Sequence, residues 1–361
     1  MTRAAAFLSN RRPLDYGARL ARLRWRRAGG AGVVREWDTA APAAEALAAA
    51  PDAESWIVVR DPSALPLGSV PDSASGAVWR ATPVEPPAVH TLRELESAVA
   101  GRGVARAAPA FLFSKDRFPV RGGETVGDFL ARLETEAKPN LGFLAVVFED
   151  PSERERPELT RRLPAGRLRV LDAGCGAGGG IGLARARNPE WEVVGLEQDQ
   201  DLAARARRHC DRVIEGDLTQ TLSDLAAAGE RFDALVFADV LEHLEDPVAT
   251  LAQARRLASP EALLLVSVPN AGHLSVARDL LMGRHDSVAA GLCDAGHLRW
   301  FSRSFLEEAI AEAGWRLESL EAEAGAPAPD GRSFLGLAAQ WPDADLESLA
   351  TYQWIATARP A

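Results

Sequence analysis

The chain has almost no lysine. Of its 41 cationic side chains only Lys115 and Lys138 are lysines, and the rest are arginines, which we read first as coding bias. Tyrosine is equally scarce, at Tyr16 and Tyr352, so no Tyr-x-x-x-Lys pair for hydride transfer exists. The three cysteines, Cys175, Cys210 and Cys293, are far apart, odd in number and free of CxxC spacing. That spacing suggests neither a disulfide framework nor a zinc site and fits a reducing, cytoplasmic setting; no metal site is expected. No apolar run approaches the ~18–20 residues that span a bilayer. The opening MTRAAAFLSNRR has too short an apolar stretch for a secretory leader. A basic excess is missing too. The formal charge of −10 argues against a general nucleic-acid binder.

What is present is an ordinary globular composition, 47% hydrophobic and 25% charged, in 361 residues. That length suits two domains. Residues 1–125 are rich in Ala, Pro and Arg, and the first 40 carry nine Arg against three acids. Trp56–Val59, Ala77–Trp79 and Ala110–Phe113 are strand candidates. Thr91–Val99 reads as a helix with a Thr-x-x-Glu capping box. Asp15–Arg27 reads as a basic helix with one apolar stripe. We expect an accessory α/β domain here, with no catalytic motif. Residues 126–166 are expected to link the domains. They hold a helix (Val126–Glu136), a strand (Gly142–Phe148) and a solvated helix in the charge-alternating SERERPELTRR.

From residue 167 to 361 strands and helices alternate. Strands are expected at Arg167–Leu171, Glu192–Leu196, Asp211–Glu215, Phe232–Ala238, Ala262–Val268, Trp315–Ala322 and Tyr352–Ala358. Helical patterns fill the gaps at Gly180–Arg187, Asp199–Cys210, Leu218–Ala228, Pro247–Ala258, His273–Met282 and Ser302–Ala313. This order predicts βαβ units and a doubly wound parallel sheet with ligands at its carboxyl edge. The last strand follows a long excursion and is expected to pair antiparallel.

Four features fall at that edge. Val170–Gly182, VLDAGCGAGGGIG, is a strand that ends at Asp172, then a glycine turn, then a helix start. Such a turn lets a ligand lie against backbone, and the helix start offers free N–H groups. Gly174, Gly176 and Gly179 also satisfy the dinucleotide pattern G-x-G-x-x-G, so NAD stays open at this point. Glu197 ends the next strand, where a carboxylate can accept from ribose hydroxyls or merely face solvent. Asp217, in Gly216-Asp217-Leu218, can take an adenine amine or cap a helix. Phe232–Pro247, FDALVFADVLEHLEDP, brings Asp239, Glu242 and His243 to the edge.

In this order and spacing the set resembles class I S-adenosylmethionine-dependent methyltransferases, over about residues 163–360. Val266–Asn270 (VSVPN) and Gly291–Phe301 (GLCDAGHLRWF) are similar to the MetW-like and ubiquinone-type subgroup. The resemblance implies a Rossmann-like seven-stranded sheet whose last strand is antiparallel. It implies that Asp172, Ala173, Gly174, Cys175, Gly176 and Gly178 form the pocket for the methionine part of S-adenosyl-L-methionine. Glu197 and Gln198 would serve the ribose, Asp217 and Leu218 the adenine end, and Asp239 and Val240 the wall beside the sulfonium. A hydroxyl acceptor needs a base, and His297 and His243 are the candidates. His273 and His285 flank a helix near the acceptor region, while His209 and His90 read as surface positions. Trp300, Trp315, Trp341 and Trp354 read as core aromatics.

The leading expectation is an enzyme that methylates oxygen on a small-molecule or sugar-type acceptor, with a homodimer or partner enzyme as its company. A catalytically silent methyltransferase-like partner is the alternative, and an NAD-dependent oxidoreductase the third reading.

Overall fold

The computed structural model describes residues 3–8, 24–25, 33–37, 41–50, 55–59, 65–67, 79–84, 110–114, 120–136, 138–146, 155–288, 291–325 and 331–361. The chain divides into two compact units. One is 1–149 with 286–296, and the other is 150–285 with 297–361. The division falls at 149/150, so Val126–Glu136 belongs to the first unit instead of linking the two. Its Val126, Phe129, Leu130 and Leu133 share a core with Ala43, Leu47, Trp56 and Val58. No helix among the described residues is long and apolar enough to cross a membrane.

Among the described residues the first unit holds seven strands: β1 (Arg3–Leu8), β2 (Val33–Trp37), β3 (Ser55–Val59), β4 (Leu65–Leu67), β5 (Trp79–Val84), β6 (Ala110–Ser114) and β7 (Lys138–Val146). They form one sheet in the order β2-β1-β3-β6-β5-β7-β4. β2, β1 and β3 are parallel, and β6 runs antiparallel to both β3 and β5. Trp56, Ile57, Val58 and Val59 have no exposure. Successive side chains of a strand point to opposite faces, so the sheet is covered on both sides at β3. The expected helix Thr91–Val99 lies outside the described residues. Of Asp15–Arg27 only Arg24 and Trp25 are described; they are helical, and Trp25 is buried.

The second unit is the expected doubly wound sheet. Its strands are β8 (Leu168–Ala173), β9 (Trp191–Glu197), β10 (Arg212–Glu215), β11 (Phe232–Ala238), β12 (Ala258–Pro269), β13 (Trp315–Glu323) and β14 (Gln353–Pro360). The order is β10-β9-β8-β11-β12-β14-β13, parallel from β10 to β12. β14 enters between β12 and β13 and runs antiparallel to both. Alternate residues feed two cores. Val170, Val193, Val236 and Leu265 pack on one face, and Leu171, Val194, Phe237 and Leu264 on the other. Burial on both faces explains the near-continuous apolar runs of these strands.

The helices start where acids or hydroxyls can cap them. Asp199 accepts from Asp201 and Leu202 N–H groups, Asp217 from Gln220, Asp246 from Ala249 and Ser302 from Phe305. Each such cap contributes about 1 kcal/mol. Of the four tryptophans expected inside, Trp315 and Trp354 are 1% exposed. Trp300 and Trp341 are 37% and 61% exposed and are not core residues.

Candidate functional site

The carboxyl ends of β8, β9 and β11 carry the glycine turn, Glu197 and Asp239 of the second unit. Gly174, Gly176 and Gly178 all have positive φ. Gly174, at φ +70°, lies so close to Val240 that a Cβ would sit 2.7 Å from its Cγ2. At Gly178 a Cβ would meet Ala206 Cα at 3.1 Å and His209 Cβ at 3.2 Å. The turn is thus clamped between Val240 and the helix Gln200–Ala206. His209, expected at the surface, is half-buried against it. Glu197 holds the turn from below: Oε2 accepts from Gly176 N–H at 2.9 Å and Oε1 from Asp199 N–H at 2.8 Å. A carboxylate has about four acceptor positions, so two remain for a ligand.

Asp172 is 3% exposed, and its Oδ2 has no hydrogen-bond partner among the described residues. Burial pushes its carboxyl up to about 7, helped by the negative charge of Glu197; a backbone N–H from Ile181 and the Arg156 guanidinium pull the other way. A buried acceptor without a partner costs roughly 1–3 kcal/mol, which a cationic ligand group would relieve.

Arg156 is the residue that sequence reasoning missed. It sits in the charge run expected to be a solvated helix, yet its side chain is 20% exposed and turned into the site. Nη1 donates to Asp239 Oδ2 at 2.8 Å and Nη2 to Gln353 Oε1 at 3.1 Å, and Nε pairs with Glu158. The helix itself is one turn, Pro157–Thr160. Pro157 at its first position was the available signal, because it fixes Arg156 just outside the helix. Asp239 is the one non-glycine residue with positive φ among those described, at +56°. It is tied down on every side: Ser267 Oγ donates to Oδ1 at 2.9 Å, Gln353 Nε2 donates to the same oxygen, and Asp239 N–H donates to Ser267 O at 3.1 Å.

The remaining expected cofactor residues fall around this centre. Ala173 and Cys175 are buried, Val240 is 9% exposed, Gln198 and Asp217 are exposed, and Leu218 packs partly on the core. The Cys175 thiol is pushed up by the Cys210 thiol beside it and by burial, so it serves packing. Asp217 caps Leu218–Ala227 through Oδ1, the structural one of its two readings.

A second cluster lies at the short 3-10 turn Leu241–His243 that follows Asp239. Glu242 and His297 side chains are 1% and 7% exposed, with Nε2 of His297 3.9 Å from Glu242 Oε1. The backbone of Glu242 accepts from the N–H groups of Leu298 and Arg299 at 2.7 and 3.0 Å, which docks the His297 segment onto the turn. The exposed His243 ring meets His297 edge-on at 4.9 Å, and Trp300 stands 6.3 Å from His297 and 4.7 Å from His285. Donor atoms of Glu242, His243 and His297 lie within 4.8 Å of one another, a spacing that three ligands of one cation also have. His273 faces inward instead: it is 3% exposed and caps Leu274–Leu281 by accepting from Ser275 N–H.

Curated relatives match about a third of the chain. A ubiquinone biosynthesis O-methyltransferase of Cereibacter sphaeroides is 40% identical over 116 residues, 31% of this chain and 46% of the relative. A trans-aconitate 2-methyltransferase of Methylobacterium radiotolerans is 34% identical over 126 residues, 34% and 46% of the two chains. The chain spans about half the length of these relatives. Among solved structures, a SAM-dependent methyltransferase from Archaeoglobus fulgidus aligns with a TM-score of 0.42 at 16% identity, over 56% of this chain and 91% of the other. The family described as a methyltransferase domain matches residues 124–320, more than half of the chain. With the glycine turn, Asp172, Glu197 and Asp239 at the carboxyl edge of that segment, this protein belongs to the methyltransferase-domain family.

Proposed function

We propose that the protein is an S-adenosyl-L-methionine-dependent methyltransferase that methylates a hydroxyl of a small-molecule or sugar-type acceptor. The observation that carries the cofactor half is the pair of opposite charges at the glycine turn. Asp172 offers a buried oxygen without a partner, and Arg156 reaches the same centre. An amino acid end with its ammonium on Asp172 would satisfy that oxygen, its carboxylate could take the N–H positions of Arg156 that Asp239, Gln353 and Glu158 leave over, and the glycines of the turn keep side chains out of its way. Glu197 keeps acceptor capacity for ribose hydroxyls. Gln198, Asp217 and Leu218 would line the adenine end. When bound, the cofactor supplies an electrophilic methyl group on a sulfonium.

The chain's own residues would then align the acceptor, exclude water and remove its proton. His297 is suited to the last task. It is shielded, close to the Glu242 carboxylate that would stabilise its protonated form, and flanked by His243 and Trp300. The relative from Cereibacter sphaeroides is named as an O-methyltransferase, which supports oxygen as the acceptor atom.

Calorimetric titration with S-adenosylmethionine, S-adenosylhomocysteine and NAD tests the cofactor. We expect the first two to bind and NAD not to; NAD binding alone would sink the reading. In turnover assays over sugar, phenol and carboxylate acceptors, His297→Ala should lose about 10²–10⁴-fold in kcat with cofactor affinity held. The same assay in EDTA should be unchanged. A loss in EDTA that magnesium restores would assign Glu242, His243 and His297 to a cation and remove the base role.

A further inference from the structure

The second unit holds a cavity of about 360 Å³, lined by residues of two stretches of chain, 155–165 and 187–191. That volume lies at the low end of the ~300–1,000 Å³ of ligand pockets, so it suits a small molecule. None of the residues expected to hold the cofactor lines it. The first stretch leads into β8, and the second ends on Trp191, the first residue of β9. The cavity therefore lies towards the amino ends of these strands, whereas the glycine turn and Glu197 follow their carboxyl ends.

Its walls have a definite chemistry. Trp191 packs in the core with Leu159 and Leu163 and is 4% exposed, yet its Nε1 has no acceptor among the described residues. An indole nitrogen can only donate, and a buried one normally finds a partner, so this wall calls for an acceptor. Arg161 stands at the same cavity with a side chain 62% exposed. Its nearest carboxylate oxygen, on the half-exposed Glu323, is 3.7 Å away, a contact of little strength that leaves guanidinium N–H groups for another acceptor. The other arginine, Arg187, is taken by both oxygens of Glu155, which lowers the Glu155 carboxyl below its usual range. The acid of the cavity is thus neutralised, and the charge of Arg161 is left over. Leu163, Pro164 and Ala165 supply an apolar wall. Donors and one spare cation beside apolar side chains match an organic carboxylate, with its charge at Arg161 and Trp191 and its carbon body on Leu163 and Pro164.

The cavity also adjoins the cofactor centre through one element. Pro157 and Thr160, the two ends of the one-turn helix, both line it. Arg156, the residue just before that helix, points the other way, to Asp239 and Gln353. A helix of four residues has little stability of its own, so whatever grips it also steadies Arg156. We propose that the cavity is a second ligand site, which takes a small organic carboxylate and, through the helix Pro157–Thr160, holds Arg156 in place for the cofactor. The coupling rests on the proposed cofactor reading, but the binding does not.

The test uses the full chain with S-adenosylhomocysteine at saturation. Benzoate, phenylacetate and hexanoate are titrated in turn, with benzyl alcohol as the uncharged control. Calorimetry is read beside the indole N–H signal of Trp191 in nitrogen-15 spectra, assigned through Trp191→Phe. We expect at least one of these carboxylates to bind at one site per chain and to move that signal. Benzyl alcohol should bind about ten-fold more weakly, and Arg161→Gln should cost the carboxylate about ten-fold in affinity while S-adenosylhomocysteine binds as before. In the reverse titration the bound carboxylate should tighten S-adenosylhomocysteine by about five-fold. Absence of binding by all three, equal binding of benzyl alcohol, an unmoved Trp191 signal, or displacement of S-adenosylhomocysteine would overturn the site. Unchanged or weakened S-adenosylhomocysteine binding would overturn the coupling. If S-adenosylhomocysteine itself failed to bind, the proposed activity would fall, and the carboxylate titration on the free chain would still decide the site.

Discussion

At the scale of single residues, the site is set by what Gly174, Asp172 and Arg156 cannot exchange. Gly174→Ala would put a methyl group 2.7 Å from Val240 Cγ2 at a positive φ. The strained backbone and the clash together should cost about 1–3 kcal/mol and most of the cofactor affinity. Adding Val240→Ala should recover stability by removing the clash, while φ strain stays; a thermal melt of the two variants separates these terms. Asp172 makes the ligand-free protein pH-dependent. Its carboxyl, ordinarily near 3.8, is pushed up to about 7 when folded, so the folded chain holds that proton more tightly than the unfolded chain. The resulting stability is fully present below about pH 4 and is lost as pH rises to about 7. The difference between wild type and Asp172→Asn across that window should be on the order of 4 kcal/mol, read by denaturant melts. Cofactor affinity should move the other way and weaken below about pH 7, because an ammonium group needs the ionised carboxyl. Arg156→Gln should lower affinity by roughly 10–100-fold in calorimetry, the scale of a charge-assisted hydrogen bond.

At the scale of elements, periodicity and punctuation were enough to read the second unit. Buried strands show up as apolar runs because both sheet faces are covered, and their helices begin at Asp199, Asp217, Asp246 and Ser302, all acids or hydroxyls. The antiparallel last strand was legible from the long excursion before it. The position of Arg156 was not. A charge run normally signals a solvated face, and only the fold reveals that Asp239 and Gln353, 83 and 197 residues away, receive its guanidinium. Nor could the sequence place His297 beside Glu242, since the contact depends on Glu242 carbonyl accepting from Leu298 and Arg299. In the first unit, strand candidates emerged but their order did not, because pairing of distant strands leaves no local pattern. One element carries unusual weight. β14 lies between β12 and β13 and buries Trp354, Ile355, Ala356 and Ala358. A chain that stops at residue 352 should lose the cooperative unfolding transition of the second unit in circular dichroism.

At the scale of the whole molecule, the two units have separate cores, one around Trp56 and Phe129 and the other on both faces of the second sheet. Calorimetric scans should show two transitions. A ligand that binds one folded unit stabilises that unit alone, by about 2.7 kcal/mol at a hundred-fold excess over Kd. S-adenosylhomocysteine should therefore raise one transition and leave the other in place. A single transition raised as a whole would show the units to be energetically coupled.

The place of β14 also governs how the second unit is made. β13 leaves the ribosome before β14, yet it has no partner in the sheet until β14 has paired with β12. Until residue 360 has emerged, β12 presents an open, apolar edge, and its final neighbours cannot take their places. Exposed strand edges of this kind pair readily with other chains. The second unit should thus close only after nearly all of it has been synthesised, and its yield should respond to chaperones that shield nascent strands.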